Sequence, residues 1–157
     1  MQGAELLSRH DDSSYQATDL ATFGSGIGPH FRHVLDHYRS FLPGVETSLI
    51  DYDDRKRGTE VEKSPARAVE EIASILDALR KLDIDVNARV NICVSASTEG
   101  ADLCSKSSFG RELQFLVSHT VHHYALIAIA SRMQGIFPKQ SFGVAPSTLK
   151  FLKASGA

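Results

Sequence analysis

Histidine is the residue type whose spacing in this sequence points most directly to chemistry. The chain has seven histidines, and six of them fall in two short windows, residues 30–37 and 119–123. In the second window His119 and His123 are four residues apart, the spacing at which one face of a helix presents two imidazoles to a single metal ion. A site of this kind takes its third ligand from another element, and the first window offers three candidates, His30, His33 and His37.

Helical projections at 100° per residue separate the histidines that face inward from those that face water. In the second window His119 and His123 lie on or beside the apolar face, whereas His122 lies toward water. Two inward imidazoles need partners because burial disfavours their charged form, and a metal ion binds the neutral form. A buried hydrogen-bond network without metal is the alternative interpretation. In the first window the projection places His33 furthest from the apolar face and favours the other two histidines, so the third ligand stays open on this argument.

The composition is that of an ordinary globular domain and narrows the functional classes. The 157 residues are 42% hydrophobic and 23% charged, and we expect a single domain over residues 1–157. Seventeen Lys and Arg residues against nineteen Asp and Glu residues give a formal net charge of −2. Because there is no basic excess, we expect no nucleic-acid partner.

Membrane and secretory signals are not evident in the sequence. The N-terminal residues lack a basic region followed by an apolar stretch. The longest apolar run, Tyr124–Ala130, is far shorter than the roughly 20 residues that a bilayer span needs. We therefore expect a cytoplasmic protein with no membrane partner. Cys93 and Cys104 lack C-x-x-C spacing and are too few for a disulfide scaffold, so we predict reduced, buried thiols.

Helical elements are predicted to position the histidines. Pro29 suits the first turn of a helix that we expect to run to Leu42 and to end at Pro43-Gly44. An unbroken apolar pattern predicts the longest helix over Ser108–Gln134. Helical patterns cover three further segments, Ala4–Arg9, Ser64–Leu82 and Pro146–Leu152.

A period-two pattern interrupts the helical segments and predicts a β-hairpin. Its first strand covers Ala88–Ala96, its turn lies at Thr98–Gly100, and its return passes through Leu103. Amphipathic helices with short connections favour an antiparallel bundle, in which sites are built from side chains of facing helices. The predicted fold class is therefore mainly all-α, an antiparallel four-helix bundle with a short β-hairpin insertion.

Four segments together resemble the DinB/YfiT family of metalloproteins, in a subgroup without an assigned reaction. They are the helix Gly28–Tyr38, the loop Asp51–Asp54, the stretch Gly110–Tyr124 and the tail Phe142–Leu149, and the similarity runs over most of the chain from about residue 24. The resemblance implies an antiparallel four-helix bundle of DinB/YfiT type. In that bundle one histidine of the second helix and an H-x-x-x-H pair on the last long helix hold a divalent metal ion.

The resemblance assigns the metal ligands as His33, His119 and His123. His33 is chosen because His33-Val-Leu-Asp36 matches the family's second-helix ligand, although the helical projection favours its neighbours. His37 is the reserve ligand. The ion is expected to be Zn²⁺, Ni²⁺ or Fe²⁺, since imidazole suits each of them.

A three-histidine site with an open position is expected to support catalysis. Such a site lowers the pKa of a bound water or thiol, and some members of the family are thiol-dependent transferases or isomerases. We expect a metal-dependent enzyme of the thiol transferase or hydrolase type, with Glu112 and His37 as candidate proton carriers. The alternative is a non-catalytic metal-binding or metal-stabilised protein. The expected partners are a small-molecule substrate or a low-molecular-weight thiol and, because the predicted first helix is short, a second copy of the chain in a homodimer.

Overall fold

The computed structural model describes residues 2–18, 24–95 and 97–156. Within these ranges lie six α-helices: α1 (Gln2–Leu7), α2 (Asp12–Gln16), α3 (Ile27–Thr47), α4 (Pro65–Lys81), α5 (Phe109–Met133) and α6 (Pro146–Ser155). The same ranges contain a 3₁₀ helix over Glu60–Glu62 and three strands: β1 (Leu49–Asp51), β2 (Arg89–Val94) and β3 (Leu103–Ser108).

Helix α3 is central to the helical part of the molecule. It packs against α5, α4 and the 3₁₀ helix, and α4 also packs against α1. The largest fully buried side chains of this core include Tyr15, Phe31 and Ile127. Gly28 marks the closest approach, since a Cβ at this position would lie 2.0 Å from the carbonyl oxygen of Glu62. The absence of a side chain at Gly28 therefore lets α3 lie against the 3₁₀ helix.

The three strands form one mixed sheet in the order β1-β2-β3. Strand β1 runs parallel to β2, with Ile50 opposite Ile92, and β2 runs antiparallel to β3. The buried side chains of the sheet join a second core cluster with Phe41 of α3 and with Phe109 and Leu116 of α5. The prediction of an all-α four-helix bundle with a hairpin insertion is therefore wrong, and the fold is mixed α/β.

The error in fold class arises at the end of α3. The helix was predicted to end at Pro43-Gly44 but continues to Thr47 with Pro43 inside it, although proline lacks the N–H for one main-chain hydrogen bond. The N–H of Ser48 then closes the last turn on the carbonyl oxygen of Gly44 at 2.8 Å. Strand β1 follows at once and is too short to show alternation in the sequence. It pairs with β2, which makes the predicted hairpin part of a sheet; Ala96, the predicted end of the hairpin's first strand, lies outside the described residues.

The N-terminal segment forms two short helices where one was predicted over Ala4–Arg9. Asp11 begins the second of them: its Oδ1 accepts the N–H of Ser14 at 2.8 Å, and the Oγ of Ser14 accepts the N–H of Asp11 at 3.1 Å. Helices α4, α5 and α6 lie within three residues of their predicted ends. Across the described ranges, no helix combines the length and the apolarity that a membrane crossing requires.

Cys93 and Cys104 are joined by a disulfide. They are direct partners in the antiparallel pairing of β2 and β3, and their Cα atoms are 4.2 Å apart. Non-hydrogen-bonded pairs of antiparallel strands have a Cα separation of about 4.5 Å, close enough to bridge. The prediction of reduced, buried thiols is wrong because a disulfide between residues that a hairpin places opposite each other does not require C-x-x-C spacing.

Candidate functional site

The candidate site lies between α3 and α5 and consists of three histidines. His33 of α3 and His119 and His123 of α5 each offer one ring nitrogen, and these three atoms lie within 4.8 Å of one another. The ring centroids of His119 and His123 are 4.5 Å apart, and that of His33 lies 4.9 Å from the first and 4.7 Å from the second. His119 and His123 lie close together because they are four residues apart on α5. His33 lies beside them because α3 packs against α5. The fold thus brings together the three residues predicted as ligands, while metal binding by them stays a prediction.

The helical projection of α3 ranked His33 last because it assumed a single apolar face. In the structure α3 is buried along much of its circumference, including the consecutive residues Val34, Leu35, Asp36 and His37. A helix covered on several sides has more than one inward direction. The apolar stripe therefore could not indicate which histidine faces α5.

All three imidazoles are held in their neutral form. Burial, together with the charges of neighbouring histidines and of Arg55, lowers the pKa of His33 and of His119 to about 3. Burial and the neighbouring histidines lower the pKa of His123 to about 4. At neutral pH each ring therefore carries one lone pair that can accept a hydrogen bond or bind a metal ion. The Nε2 of His119 is buried and has no hydrogen-bond partner among the described residues.

Two further histidines surround the cluster. The Nδ1 of His37 donates to the carbonyl oxygen of His33 at 2.9 Å, which leaves its Nε2 as an acceptor. The His37 ring lies 4.1 Å from the ring of His119 and stacks on Tyr52 at 5.1 Å. The Nδ1 of His30 lies 2.9 Å from the Nδ1 of His123, and this hydrogen bond orients the His123 ring.

The outer face of α5 carries His122. It is exposed, as the projection of this helix predicted. His123, the next residue, is buried, and the centroids of the two rings are 5.0 Å apart. The two adjacent histidines therefore differ in their exposure to solvent. His122 is therefore a suitable control residue for the cluster.

Arg55 is a member of the site that sequence reasoning missed. It follows β1 in the polar stretch 51–58, whose composition favours a solvated loop over a rim of the site. Its Nη1 donates to the Nδ1 of His33 at 2.9 Å, and its Nη2 donates to Asp53 Oδ1 at 2.9 Å. The Nε of Arg55 is buried without a hydrogen-bond partner in the described part of the chain. No spacing rule connects Arg55 to the histidines, because the short strand β1 brings the loop back over α3.

A cleft of about 360 Å³ adjoins the cluster through His37 and Phe115. The Phe115 ring stacks on that of His119 at 5.5 Å. Other side chains that line the cleft are mainly polar: Tyr52, Ser105, Lys106, Ser107, Arg111 and Glu112. The volume lies within the range of small-molecule sites in proteins. The cleft is thus lined by two residues whose rings contact His119, but not by the three histidines of the cluster themselves.

Glu112 lies beside this cleft but is held by other residues. Its Oε2 accepts from the Tyr52 hydroxyl at 2.9 Å, and its Oε1 accepts from Ser107 Oγ at 2.6 Å and from Arg111 Nη1 at 3.2 Å. Burial, and next the charge of Glu112, raises the pKa of Tyr52, so the hydroxyl stays protonated and donates. Both carboxylate oxygens of Glu112 therefore have protein donors, and it is better described as a structural link between α5 and the sheet than as a proton carrier.

The donor set fits a divalent transition-metal ion. Zinc binds imidazole nitrogen at about 2.0–2.1 Å, and nickel and iron also accept imidazole ligands. Three neutral nitrogens already gathered within 4.8 Å need only small side-chain movements to surround one ion. The unpartnered Nε2 of His119 has the chemistry of a ligand atom. The cluster would hold the ion through three protein ligands, which leaves a position for another molecule.

Comparisons with known proteins give one relative and no family. No family model matches the chain, and no solved structure matches it. The protein named FK506-binding protein 5 from Rhizopus delemar is 32% identical over 109 residues, which is 68% of this chain and 28% of that protein. The chain therefore spans little more than a quarter of the length of the curated relative that it matches.

These comparisons correct the family inferred from the sequence. The segments Gly28–Tyr38 and Gly110–Tyr124 resembled the DinB/YfiT family, yet no family model matches and the relative found carries a different name. Two short histidine motifs are a small fraction of the chain, and the mixed sheet is not part of the bundle they implied. The assignment to the DinB/YfiT family is therefore wrong, and the candidate site has to be argued from its own geometry.

Proposed function

We propose that this chain binds one divalent transition-metal ion through His33, His119 and His123, and that it uses the ion as a metal-dependent enzyme acting on a small molecule. The observation that carries the proposal is the approach of three neutral imidazole nitrogens to within 4.8 Å of one another. A buried polar atom without a partner costs about 1–3 kcal/mol, and the Nε2 of His119 is such an atom. A bound ion would offset that cost, whereas a hydrogen-bond network without metal leaves it in place.

The residues around the cluster suit a reaction that begins with loss of a proton. An ion with an open position lowers the pKa of a thiol or water that reaches it. His37 is placed to accept the released proton, because its Nδ1 is fixed on the His33 carbonyl and its Nε2 remains an acceptor. The cleft beside His37 and Phe115 gives the substrate access. This arrangement favours a thiol transferase or hydrolase type of chemistry, with Zn²⁺, Ni²⁺ or Fe²⁺ as the ion.

A non-catalytic metal-stabilised protein is the alternative. Structural zinc sites are closed by four protein ligands, whereas catalytic sites keep a position open. Within the described residues, three histidines have ligand atoms within 4.8 Å of one another, and His37 is not one of them. The cluster therefore favours the open type. The name of the relative does not identify a ligand for this chain, because the chain covers only 28% of that protein.

Metal analysis of the full chain tests the proposal. The chain, purified without a histidine tag, is expected to bind one equivalent of Co²⁺ or Zn²⁺, measured by elemental analysis and by the visible absorption of Co²⁺. His119→Ala removes one of three ligands and is expected to lose stoichiometric binding. His122→Ala removes the neighbouring exposed histidine and is expected to retain it. No stoichiometric metal in the unmodified chain, or equal loss in both folded variants, would overturn the proposal.

A further inference from the structure

Arg55 and a metal ion compete for the same histidine. A guanidinium group only donates hydrogen bonds, so the Nδ1 of His33 must accept from Arg55, and the neutral ring then carries its proton on Nε2. A metal bound through Nδ1 would use the lone pair that Arg55 now contacts. A metal bound through Nε2 would move the proton to Nδ1, where it would face an arginine donor. In both arrangements, metal binding breaks the hydrogen bond between Arg55 and His33.

Arg55 stays close to the cluster when that hydrogen bond breaks. Its Nη2 remains paired with Asp53 at 2.9 Å, and Asp53 is itself held by the backbone N–H of Ser95. The Nη1 would then have no acceptor, and the Nε is already buried without a partner among the residues described. Two guanidinium donors would therefore lie beside the ion without protein acceptors.

The charge around the loaded site calls for an anion. Three neutral imidazoles do not offset the two positive charges of the ion, and Asp53 offsets the single charge of Arg55. The cleft adds Lys106 and Arg111 against one carboxylate, that of Glu112. A small anion is thus the ligand that both the ion and the cleft attract.

The geometry points to Arg55 as the residue that binds the negatively charged group of the substrate, and to a carboxylate-bearing small molecule as the substrate class. One oxygen of a carboxylate would accept from the freed Nη1, while its other oxygen would face the ion. This inference rests on the proposed metal site, because Arg55 is released from His33 only when the ion binds. The ion and Arg55 would then hold the same anion from two sides.

Acetate and acetamide, which differ in charge but hardly in size, are the probes for this inference. Each is titrated into the Co²⁺-loaded full chain, and binding is followed by the change in the visible absorption of Co²⁺. Neither probe reduces the Cys93–Cys104 disulfide, which a thiol probe would do. Acetate is expected to bind and acetamide is not. Arg55→Gln is expected to lower the acetate affinity about tenfold, the worth of a charge-assisted hydrogen bond.

The Co²⁺ affinity of Arg55→Gln is a second measurement, and it is not expected to fall with the acetate affinity. Because Arg55→Gln removes a positive charge and a competing donor from His33, its affinity for Co²⁺ is expected to equal or exceed that of the unmodified chain. A merely structural role for Arg55 would lower both affinities together. Arg57→Gln, an exposed arginine of the same loop, is the matched control and is expected to leave both affinities unchanged.

The outcomes separate this inference from the proposed function. Failure of the unmodified chain to bind Co²⁺ would overturn the metal site itself. Normal Co²⁺ binding with equal acetate affinity in the unmodified chain and in Arg55→Gln would overturn the role of Arg55 alone. Should Arg55→Gln fail to fold, Arg55→Lys decides, since it keeps the charge but loses the guanidinium donors. Weaker acetate binding in the loaded lysine variant would support the inference, and unchanged binding would overturn it.

Discussion

Glu112 has a carboxyl side chain at a position where only 2% of its surface is exposed. Three donors, from Tyr52, Ser107 and Arg111, satisfy its two oxygens. Glu112→Ala is expected to lower the free energy of unfolding by about 2 kcal/mol, because it leaves the buried Tyr52 hydroxyl without its acceptor. Urea denaturation followed by circular dichroism measures this change.

The same variant distinguishes a structural role of Glu112 from a catalytic one. Co²⁺ affinity is expected to stay within about threefold of that of the unmodified chain. Among the contacts described, Glu112 makes none with the three ligands, and mutations at sites without shared contacts affect each other only weakly. Glu99→Ala, an exposed glutamate in the hairpin turn, is the matched control and is expected to change the free energy of unfolding by less than about 0.5 kcal/mol. An unchanged stability in Glu112→Ala would contradict the structural role.

At the scale of single residues, the sequence predicted the histidines of the cluster and named His37 beside them, but it did not single out Arg55. The pair His119 and His123 follows from helical spacing, which is a local property of the chain. His33 could not be chosen by the apolar face of its helix, because α3 is buried on several sides. Arg55 could not be singled out within the polar stretch 51–58, since its contact with His33 depends on where a loop returns after a three-residue strand.

At the scale of elements, the two strands β2 and β3 are linked by a covalent bond as well as by their ladder. The disulfide joins residues 11 positions apart in sequence. A closed loop of this size restricts the unfolded chain and contributes at most about 3 kcal/mol. The Cys93→Ser, Cys104→Ser double variant is expected to unfold at a lower urea concentration than the oxidised chain, by an amount that corresponds to 2–3 kcal/mol at most.

Reduction of the unmodified chain with dithiothreitol provides the control for that variant. The reduced chain and the double variant are expected to have the same unfolding midpoint. The double variant, which needs no thiol reagent, is expected to bind Co²⁺ as the unmodified chain does, because the disulfide lies outside the three-histidine cluster. Titration of the denatured, unreduced chain for thiols is expected to find none. Two titratable thiols would contradict the bond itself.

The elements also show why the fold class was mistaken although most helices were predicted. Helices α4, α5 and α6 have strong start and stop signals, such as Pro65 and Pro146 at their first positions. Strand β1 has no such signal, because three residues cannot display a period of two. Its parallel pairing with β2 is a contact across 42 residues, from Leu49 to Asn91, and it turns a predicted hairpin insertion into a mixed sheet.

At the scale of the whole molecule, the candidate metal site joins the two elements on which the rest of the structure packs. Helix α3 contributes to both core clusters through Phe31 and Phe41, and α5 does so through Ile127 and Leu116. An ion held by His33 on one helix and by His119 and His123 on the other binds the folded chain more tightly than the unfolded chain, because His33 lies 86 residues before His119 in the sequence. Metal binding must therefore raise the stability of the entire fold.

This linkage predicts how the melting temperature responds to metal. With free Zn²⁺ at one hundred times its dissociation constant, stabilisation is about 2.7 kcal/mol, which raises the melting temperature of a chain of this size by roughly 5–10 °C. A chelator is expected to reverse the rise, as calorimetry of the full chain can measure. His122→Ala is expected to retain the shift, and His119→Ala is expected to lose it, because only the second removes a ligand. A melting temperature that stays the same after metal addition in a chain that elemental analysis shows to be loaded would mean that the ion does not bridge α3 and α5.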